Sequence, residues 1–185
     1  PGLNFKNRDS HFIFGDVATA AIIEPEATCT SDNAFRIIGT KQMTQYSDNI
    51  RSDASYADYC FDDLPETRPF FQQQGRKVFK ELLPLIVTFI TEQLEESNLQ
   101  ASELKRMWLH QANINMNNFA AKKLLGRLPT LEEAPVVLDE FANTASSGSV
   151  IAFHKYKNDF KTGEKGLICS FGAGYSIGSL MVEKV

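Results

Sequence analysis

The segment Arg-Met-Trp-Leu-His-Gln-Ala-Asn occupies residues 106–113. Residues 106–109 are typical of a buried strand, and residues 115–126 place apolar side chains along one side of a predicted helix. His110 therefore lies where a strand ends and shortly before a helix begins. Ligands of open α/β sheets bind outside the carboxyl ends of the strands, so a histidine here is well placed for chemistry. By itself, a histidine at a strand end is as often a hydrogen-bonded structural residue.

A second turn lies at the same predicted edge. Residues 141–149 read Phe-Ala-Asn-Thr-Ala-Ser-Ser-Gly-Ser and join a predicted strand to a predicted helix, which places Asn143 on the same edge as His110. The small residues allow the backbone to come close to a ligand, and the Asn143 amide can donate a hydrogen bond to it. Taken alone, this segment is more typical of a helix N-cap than of a site.

A third turn, Cys-Ser-Phe-Gly-Ala-Gly at residues 169–174, ends a buried strand in a glycine turn. Its backbone amides could form an oxyanion hole. A single G-x-G usually marks a tight turn, and the helix that follows the glycines of a dinucleotide site is absent from the pattern. The convergence of three such turns on one edge favours a functional site there.

Strands and helices alternate around these turns. The predicted strands are residues 11–14, 19–23, 35–40, 106–109, 135–138, 166–170 and 176–182, and the predicted helices are residues 76–97, 115–126 and 146–160. Pro84 is expected to kink the first helix. The order predicts an α/β fold with a mostly parallel sheet flanked by helices and an antiparallel ending.

Composition excludes several classes of protein. The chain has 185 residues, 43% of them apolar and 23% charged, which indicates one globular unit without a membrane span. A net charge of −4 argues against nucleic acid as the main partner. Three widely spaced cysteines and the lack of a secretion signal favour reduced thiols and a cytoplasmic location. The chain opens on Pro-Gly-Leu instead of Met and soon enters a strand-like stretch, so we expect it to continue a longer protein.

The sequence resembles the C-terminal half of a β-ketoacyl-acyl-carrier-protein synthase III, a thiolase-like condensing enzyme. The resemblance covers nearly the whole chain and rests on Phe-Gly-Asp at 14–16, Gly-Arg-Lys-Val-Phe-Lys at 75–80, His-Gln-Ala-Asn at 110–113, Asn-Thr at 143–144 and Phe-Gly-Ala-Gly at 171–174. It implies that residues 1–185 form a single thiolase-like domain of βαβαβαββ type, with a mixed, mostly parallel five-stranded sheet flanked by helices.

The resemblance also implies site residues. His110 and Asn143 match two members of the family's Cys-His-Asn catalytic set, and the backbone amide of Ala173 matches its oxyanion hole. The residues expected to form the substrate tunnel or its turn are Phe171, Gly172 and Gly174. The cysteines of this chain, Cys29, Cys60 and Cys169, do not match the nucleophile, which we expect in an N-terminal half that this chain lacks.

The implied reaction is the decarboxylative Claisen condensation of an acyl-CoA with malonyl-carrier protein, in fatty acid or related biosynthesis. It needs no cofactor, since both thioesters are substrates. Acidic carrier proteins dock on basic patches, and Lys80, Lys122 and Lys123 are the candidates for that patch. Asn115 stands where the family often has an arginine, and helix lysines are usually part of a solvated face. The resemblance further implies a homodimer.

Other functions stay open at this point. A non-catalytic thiolase-fold module that binds acyl carriers or a partner chain would keep the same shape, and the upstream sequence would distinguish it by lacking the nucleophilic Cys. A serine hydrolase lacks the G-x-S-x-G motif. A metal site is disfavoured because the histidines, His11, His110 and His154, have no ligand spacing. The sequence does not reveal the acyl chain length, nor whether the polar segment 42–69 covers the substrate entrance or a dimer seam.

Overall fold

The computed structural model describes residues 12–52 and 71–185. Its strands are β1 (Phe35–Ser47), β2 (Ile50–Ser52), β3 (Phe71–Gln73), β4 (Leu104–Leu109), β5 (Lys165–Gly172) and β6 (Gly174–Lys184). Its α-helices are α1 (Gly75–Glu96), α2 (Ile114–Leu125), α3 (Leu138–Phe141) and α4 (Ser147–Lys155). Within these ranges, no helix has the length and apolar content needed to cross a membrane.

The main sheet is mixed and has helices on both faces. Its strand order is β1-β6-β5-β4, while β2 and β3 form a separate antiparallel pair. β4 and β5 run parallel, and β6 pairs antiparallel with both β5 and β1. The predicted α/β class is therefore confirmed. The expectation of five mostly parallel strands needs correction, because the main sheet of the described residues has four strands and one parallel pair.

The predicted strand at 135–138 is wrong, although the chain does run beside β4 there. The Met107 N–H donates to the Glu133 carbonyl at 2.7 Å, but residues 135–137 are irregular and Leu138 already begins α3. Pro135 has no N–H to donate, which works against a backbone ladder at this point. Instead, the side chain of Gln111 makes hydrogen bonds to the backbone of Pro135 and Val137.

Three other sequence-based boundaries also change. Residues 19–23 are irregular instead of a strand, with Ile22 91% exposed, so their β-branched pattern lacks the pairing that strands require. Residues 42–47 belong to β1, and residues 53–70 of the polar segment lie outside the described part. The helix predicted at 146–160 ends at Lys155.

The larger core lies between the sheet and the helices α1 and α2. One face of α1 is buried, and the side chains that form it are Val78, Leu82, Leu83, Ile86, Phe89, Ile90, Gln93 and Leu94. They pack against alternate residues of the sheet, including Met107, Leu109, Leu167, Cys169, Phe171, Tyr175, Ile177 and Met181. Because strand side chains alternate between faces, the intervening residues of the same strands point to the opposite layer.

A second, smaller core covers the α4 side of the sheet. Trp108 is fully buried there, and its ring lies 4.9 Å from that of Phe153 and 5.2 Å from that of Phe160. Arg106 points to the same side, where Asp159 accepts a hydrogen bond from its Nη1 at 2.6 Å. β4 is thus buried on both faces, which fixes the strand that leads into His110.

The packing around Trp108 can be tested by a substitution at Gly166. A Cβ at Gly166 would lie 2.3 Å from Cζ3 of Trp108, whereas a Cβ at Gly178 would meet nothing within 4 Å. We expect Gly166→Ala to lower the free energy of unfolding by about 1–3 kcal/mol, because the indole cannot move in a packed core. Gly178→Ala is the matched control and should be neutral or stabilising by up to about 1 kcal/mol. Urea denaturation of both variants checks this, and equal stabilities would contradict it.

Candidate active site

The parallel pairing of β4 and β5 brings two of the turns together. Leu109 pairs with Cys169 in register, so the chain continues to His110 from one strand and to Phe171 from the other at the same end. The His110 and Phe171 rings lie 4.7 Å apart between centroids, in a tilted arrangement. The carboxyl edge of the sheet therefore holds both groups, as the sequence predicts.

A cavity of about 960 Å³ opens at this edge. Its polar or turn residues include His110, Asn143, Ser146, Ser170, Gly172 and Ala173. Its apolar wall includes Phe14, Met43, Ile50, Phe71, Val78, Leu82, Met116, Phe171 and Ile177. His110 is the single titratable side chain among the described residues that line it. Such a cavity suits an apolar chain that ends in a neutral polar group.

His110 is a neutral imidazole in this setting. It is 8% exposed, and burial lowers its pKa to about 4. Its Nδ1 is buried and has no hydrogen-bond partner among the described residues. At neutral pH the ring thus carries one N–H, which can donate one hydrogen bond without adding a charge to the cavity.

Asn143 is held by its backbone and oriented by its own side chain. Its N–H donates to the carbonyl of Ile13 at 3.1 Å, and its carbonyl accepts from Gly15 at 3.0 Å. Its Oδ1 accepts the N–H of Ala145 at 2.9 Å. Among the described residues, Nδ2 makes no hydrogen bond, so the amide N–H group remains available to a ligand.

The backbone around Asn143 is strained. Ala142 has φ 55° and Ala145 has φ 53°, a region that side chains larger than glycine rarely adopt. Such residues persist where the surroundings fix them, and they concentrate at functional sites. Two in one short turn show that the position of the Asn143 side chain is held against a local backbone preference.

Gln111 connects the His110 turn to the segment that leads to Asn143. Its side chain is fully buried, and Nε2 donates to the carbonyls of Leu109 at 2.9 Å and Pro135 at 3.3 Å. Its Oε1 accepts the N–H of Val137 at 3.0 Å. Sequence reasoning missed this role, although the position of Gln111 directly after His110 was a signal. In the same motif, Asn113 caps α2 by accepting the N–H of Asn115 at 2.8 Å.

Part of the predicted glycine turn lines the cavity. Phe171, Gly172 and Ala173 line it, whereas Gly174 begins β6 with φ 129° and is not among the lining residues. Ala173 is exposed between the two strands. A side chain at Gly174 would be strained at that φ, and its Cβ would lie 2.8 Å from Oγ of Ser176. The role of Gly174 is therefore to allow the backbone to turn between β5 and β6.

The predicted basic residues lie outside the cavity, on exposed faces of α1 and α2. Lys80 borders a separate hollow of about 500 Å³ at the start of α1, together with Arg76, Lys77 and Phe79. Lys123 lies 5.8 Å above the Phe119 ring, and this ring contacts Phe79 at 6.3 Å. Contact between Phe79 and Phe119 joins the two helices, so the lysines of both belong to one surface.

The cysteines in the described part of the chain do not line the cavity. Cys169 is fully buried, and burial raises the pKa of its thiol to about 12. Cys29 is half-buried and borders a separate hollow, and Cys60 lies outside the described residues. His154 lies on the exposed side of α4, as predicted. Residues 12–52 and 71–185 contain no cluster of acidic, His and Cys side chains suited to a metal.

Part of the polar segment 42–69 also reaches the cavity. Gln42, Met43 and Thr44 of β1 and Ile50 of β2 all line it. This observation favours a place near the cavity for the described part of that segment.

The low pKa of His110 predicts an acid sensitivity of folding. The unfolded imidazole takes up a proton near pH 6.5 and the folded one only near pH 4, so stability falls as the pH drops through this window. We expect a loss of about 2 kcal/mol between pH 7 and pH 5. His110→Gln should lack this loss. Glu133 and Asp159, whose pKa values are lowered from 4.5 and 3.8 to about 2, lose their stabilising contribution mainly below the range from pH 7 to pH 5. Urea denaturation at the two pH values measures it, and equal losses in both proteins would contradict it.

Comparison with known proteins finds similarity to one family of enzymes. A family model described as the C-terminal domain of 3-oxoacyl-[acyl-carrier-protein] synthase III matches residues 94–184. The chain is 48% identical over 183 residues to a β-ketodecanoyl-[acyl-carrier-protein] synthase of Pseudomonas aeruginosa, covering 98% of this chain and 52% of that protein. It is 30% identical over 191 residues to a β-ketoacyl-[acyl-carrier-protein] synthase III of Methylococcus capsulatus, with 98% and 54% covered. The chain thus spans about half the length of these relatives.

Solved structures agree on the fold. A synthase III from Thermus thermophilus superposes with a TM-score of 0.69 at 22% identity, covering 96% of this chain and 53% of that one. A synthase III from Aquifex aeolicus gives a TM-score of 0.67 at 21% identity, with 86% and 52% covered. The thiolase-like fold is therefore confirmed.

Proposed function

Residues 94–184 belong to the family of 3-oxoacyl-[acyl-carrier-protein] synthase III C-terminal domains, and from this premise we propose that the chain carries two of three catalytic side chains of a condensing enzyme. The observation that carries the proposal is that His110, Asn143 and the turn at Ala173 line one cavity. The third side chain, a cysteine thiolate, comes from outside the described residues.

In the first half-reaction, the cysteine thiolate attacks the carbonyl carbon of an acyl-CoA. The tetrahedral intermediate carries its negative charge on oxygen, and the backbone N–H of Ala173 stabilises that oxyanion together with the N–H of the cysteine itself. The C–S bond to coenzyme A then breaks. The acyl group remains on the cysteine and the CoA thiolate leaves.

In the second half-reaction, malonyl-carrier protein loses carbon dioxide. The breaking C–C bond leaves its electron pair as an enolate, whose oxygen accepts hydrogen bonds from Nε2 of His110 and Nδ2 of Asn143. The enolate carbon attacks the acyl-cysteine carbonyl, and the cysteine thiolate departs. The proposal places the proton of His110 on Nε2 and leaves buried Nδ1, which has no partner among the described residues, as the unprotonated nitrogen.

The neutral state of His110 supports this role. Decarboxylation converts a localised carboxylate into a delocalised enolate, and a neutral donor in an apolar cavity does not hold the carboxylate as tightly as a cation would. Burial keeps the pKa of His110 near 4, so the imidazole stays neutral at physiological pH. His110 can therefore strengthen its hydrogen bond as charge develops on the thioester oxygen.

We carry the substrate class over from the β-ketodecanoyl-[acyl-carrier-protein] synthase of Pseudomonas aeruginosa, which is 48% identical to this chain. A β-ketodecanoyl product has ten carbons, two of which come from malonyl, which leaves an eight-carbon acyl group as the starter. The apolar cavity wall supports an acyl substrate of this kind. The proposal also includes an acyl carrier protein as partner, a homodimer and a cytoplasmic location.

Loss of either hydrogen-bond donor should abolish most of the decarboxylation. His110→Ala and Asn143→Ala in the full-length protein should each lower the rate of carbon dioxide release on octanoyl-CoA and malonyl-carrier protein by about 10²-fold or more. His154→Ala is the matched control, because His154 is exposed on α4 and does not line the cavity. Near-normal rates in both variants would reject the assignment, and a wild-type protein that releases no carbon dioxide would favour a non-catalytic module.

The exposed lysines of α2 should affect the binding of the carrier protein and leave the chemical steps unchanged. The double change of Lys122 and Lys123 to Glu reverses two charges on α2 and should raise KM for malonyl-carrier protein about tenfold, with kcat within about twofold. The effect should shrink with added salt. The double change of Lys157 and Lys161 to Glu, in the segment after α4, is the control, because it alters the net charge by the same amount. A KM that is unchanged in the α2 variant would place the docking surface elsewhere.

A further inference from the structure

Three polar side chains meet behind the glycine turn. Tyr175 is 1% exposed, and its hydroxyl donates to Oε2 of Glu81 at 2.8 Å. The side-chain amide of Asn49 donates to the same Oε2 at 2.7 Å and to the Tyr175 hydroxyl oxygen at 3.3 Å. We call this trio the Tyr175 clamp. Its members are not among the residues that line the cavity, so they are not substrate contacts.

The Tyr175 clamp joins three elements that form the cavity wall. Tyr175 belongs to β6, Glu81 to α1, and Asn49 to the turn between β1 and β2. The backbone of Asn49 adds a further tie, because its carbonyl accepts the N–H of Gln74 at 2.7 Å, just before α1 begins. The clamp therefore fixes the start of β6 relative to the rest of the wall.

The clamp also limits the freedom of Ala173. Pairing between β5 and β6 ends at Gly172 and Ser176, so Ala173 and the first two residues of β6 are not paired with β5. On one side of Ala173, the buried Phe171 ring rests against His110. On the other side, the Tyr175 hydroxyl is bound to Glu81. Ala173 itself is exposed, so these two anchors define where its N–H points.

We propose that the Tyr175 clamp is a positioning device for the backbone N–H of Ala173 during acyl transfer. This proposal rests on the proposed function. An oxyanion donor is effective only when it is already oriented, since reorientation during the reaction costs free energy. Asn143 also lines the cavity, but its backbone is held by hydrogen bonds with Ile13 and Gly15, which do not involve the members of the clamp. The clamp should therefore affect acyl transfer and leave decarboxylation largely unchanged.

Tyr175→Phe in the full-length protein is the main test, because it keeps the buried ring and removes only the hydroxyl. The rate of acyl transfer from octanoyl-CoA to the protein should fall at least about tenfold, with KM within about twofold. Single-turnover carbon dioxide release from malonyl-carrier protein, measured on protein already acylated, should stay within about threefold. Tyr156→Phe, the same change at the end of α4, should leave both rates unchanged.

Glu81 provides a second and independent variant. Glu81→Leu should reproduce the Tyr175→Phe effect, whereas Glu81→Gln keeps an acceptor for the Tyr175 hydroxyl and should restore most of the acyl-transfer rate. Glu95→Gln, on an exposed face of the same helix, is the control. Equal slowing of both half-reactions, or unchanged acyl transfer in Tyr175→Phe and Glu81→Leu, would overturn the proposal.

Hydrogen exchange separates this proposal from the proposed function. In Tyr175→Phe, the amides at the end of the β5–β6 ladder, at residues 171–172 and 176–177, should exchange at least about tenfold faster than in the wild type, with exchange in α2 unchanged. This measurement needs no activity. A wild-type protein without acyl transfer would refute the proposed function, and unchanged exchange at the end of the β5–β6 ladder would refute the clamp.

Discussion

Gln111 lies between two turns that share no backbone ladder. Its buried amide donates to the carbonyl that ends β4 and to the carbonyl of Pro135, and it accepts the N–H of Val137. These bonds replace the strand pairing that Pro135 interrupts, so a side chain fixes the distance between the His110 turn and the chain leading to Asn143. Leaving any of these buried groups unpaired would cost about 1–3 kcal/mol, which makes the amide a strong constraint on the geometry of the site.

The packing around the cavity also determines the charge state of its residues. The cavity wall contains no charged side chain among the described residues, and Phe171 covers one side of His110. Burial therefore keeps the imidazole neutral, with a pKa near 4. The buried thiol of Cys169 shows the opposite direction from the same cause, because burial disfavours the charged form of either group. A site of this kind can stabilise charge that appears during a reaction without holding a charge beforehand.

The sequence predicts the elements whose structure is determined by a local pattern of residues. It predicts much less where the structure depends on residues that are distant in the chain. Apolar runs that end in His110 and in the glycine turn predict β4, β5 and the shared edge, and the periodicity of α1 is equally clear. Residues 19–23 and 135–138 carry strand-like residues without forming strands, because propensity does not create a partner. The Tyr175 clamp is invisible in sequence, since Asn49, Glu81 and Tyr175 come from separate elements. Gln111 looks like a loop polar residue until its burial is known.

The central claim is that His110 and Asn143 act together on a single thioester oxygen. A crystal structure of the full-length protein with an unreactive malonyl thioester analogue tests this most directly. The account predicts that this oxygen lies about 3 Å from both Nε2 of His110 and Nδ2 of Asn143. A bound analogue whose thioester oxygen contacts neither group, or only one of them with the other turned away, would contradict it.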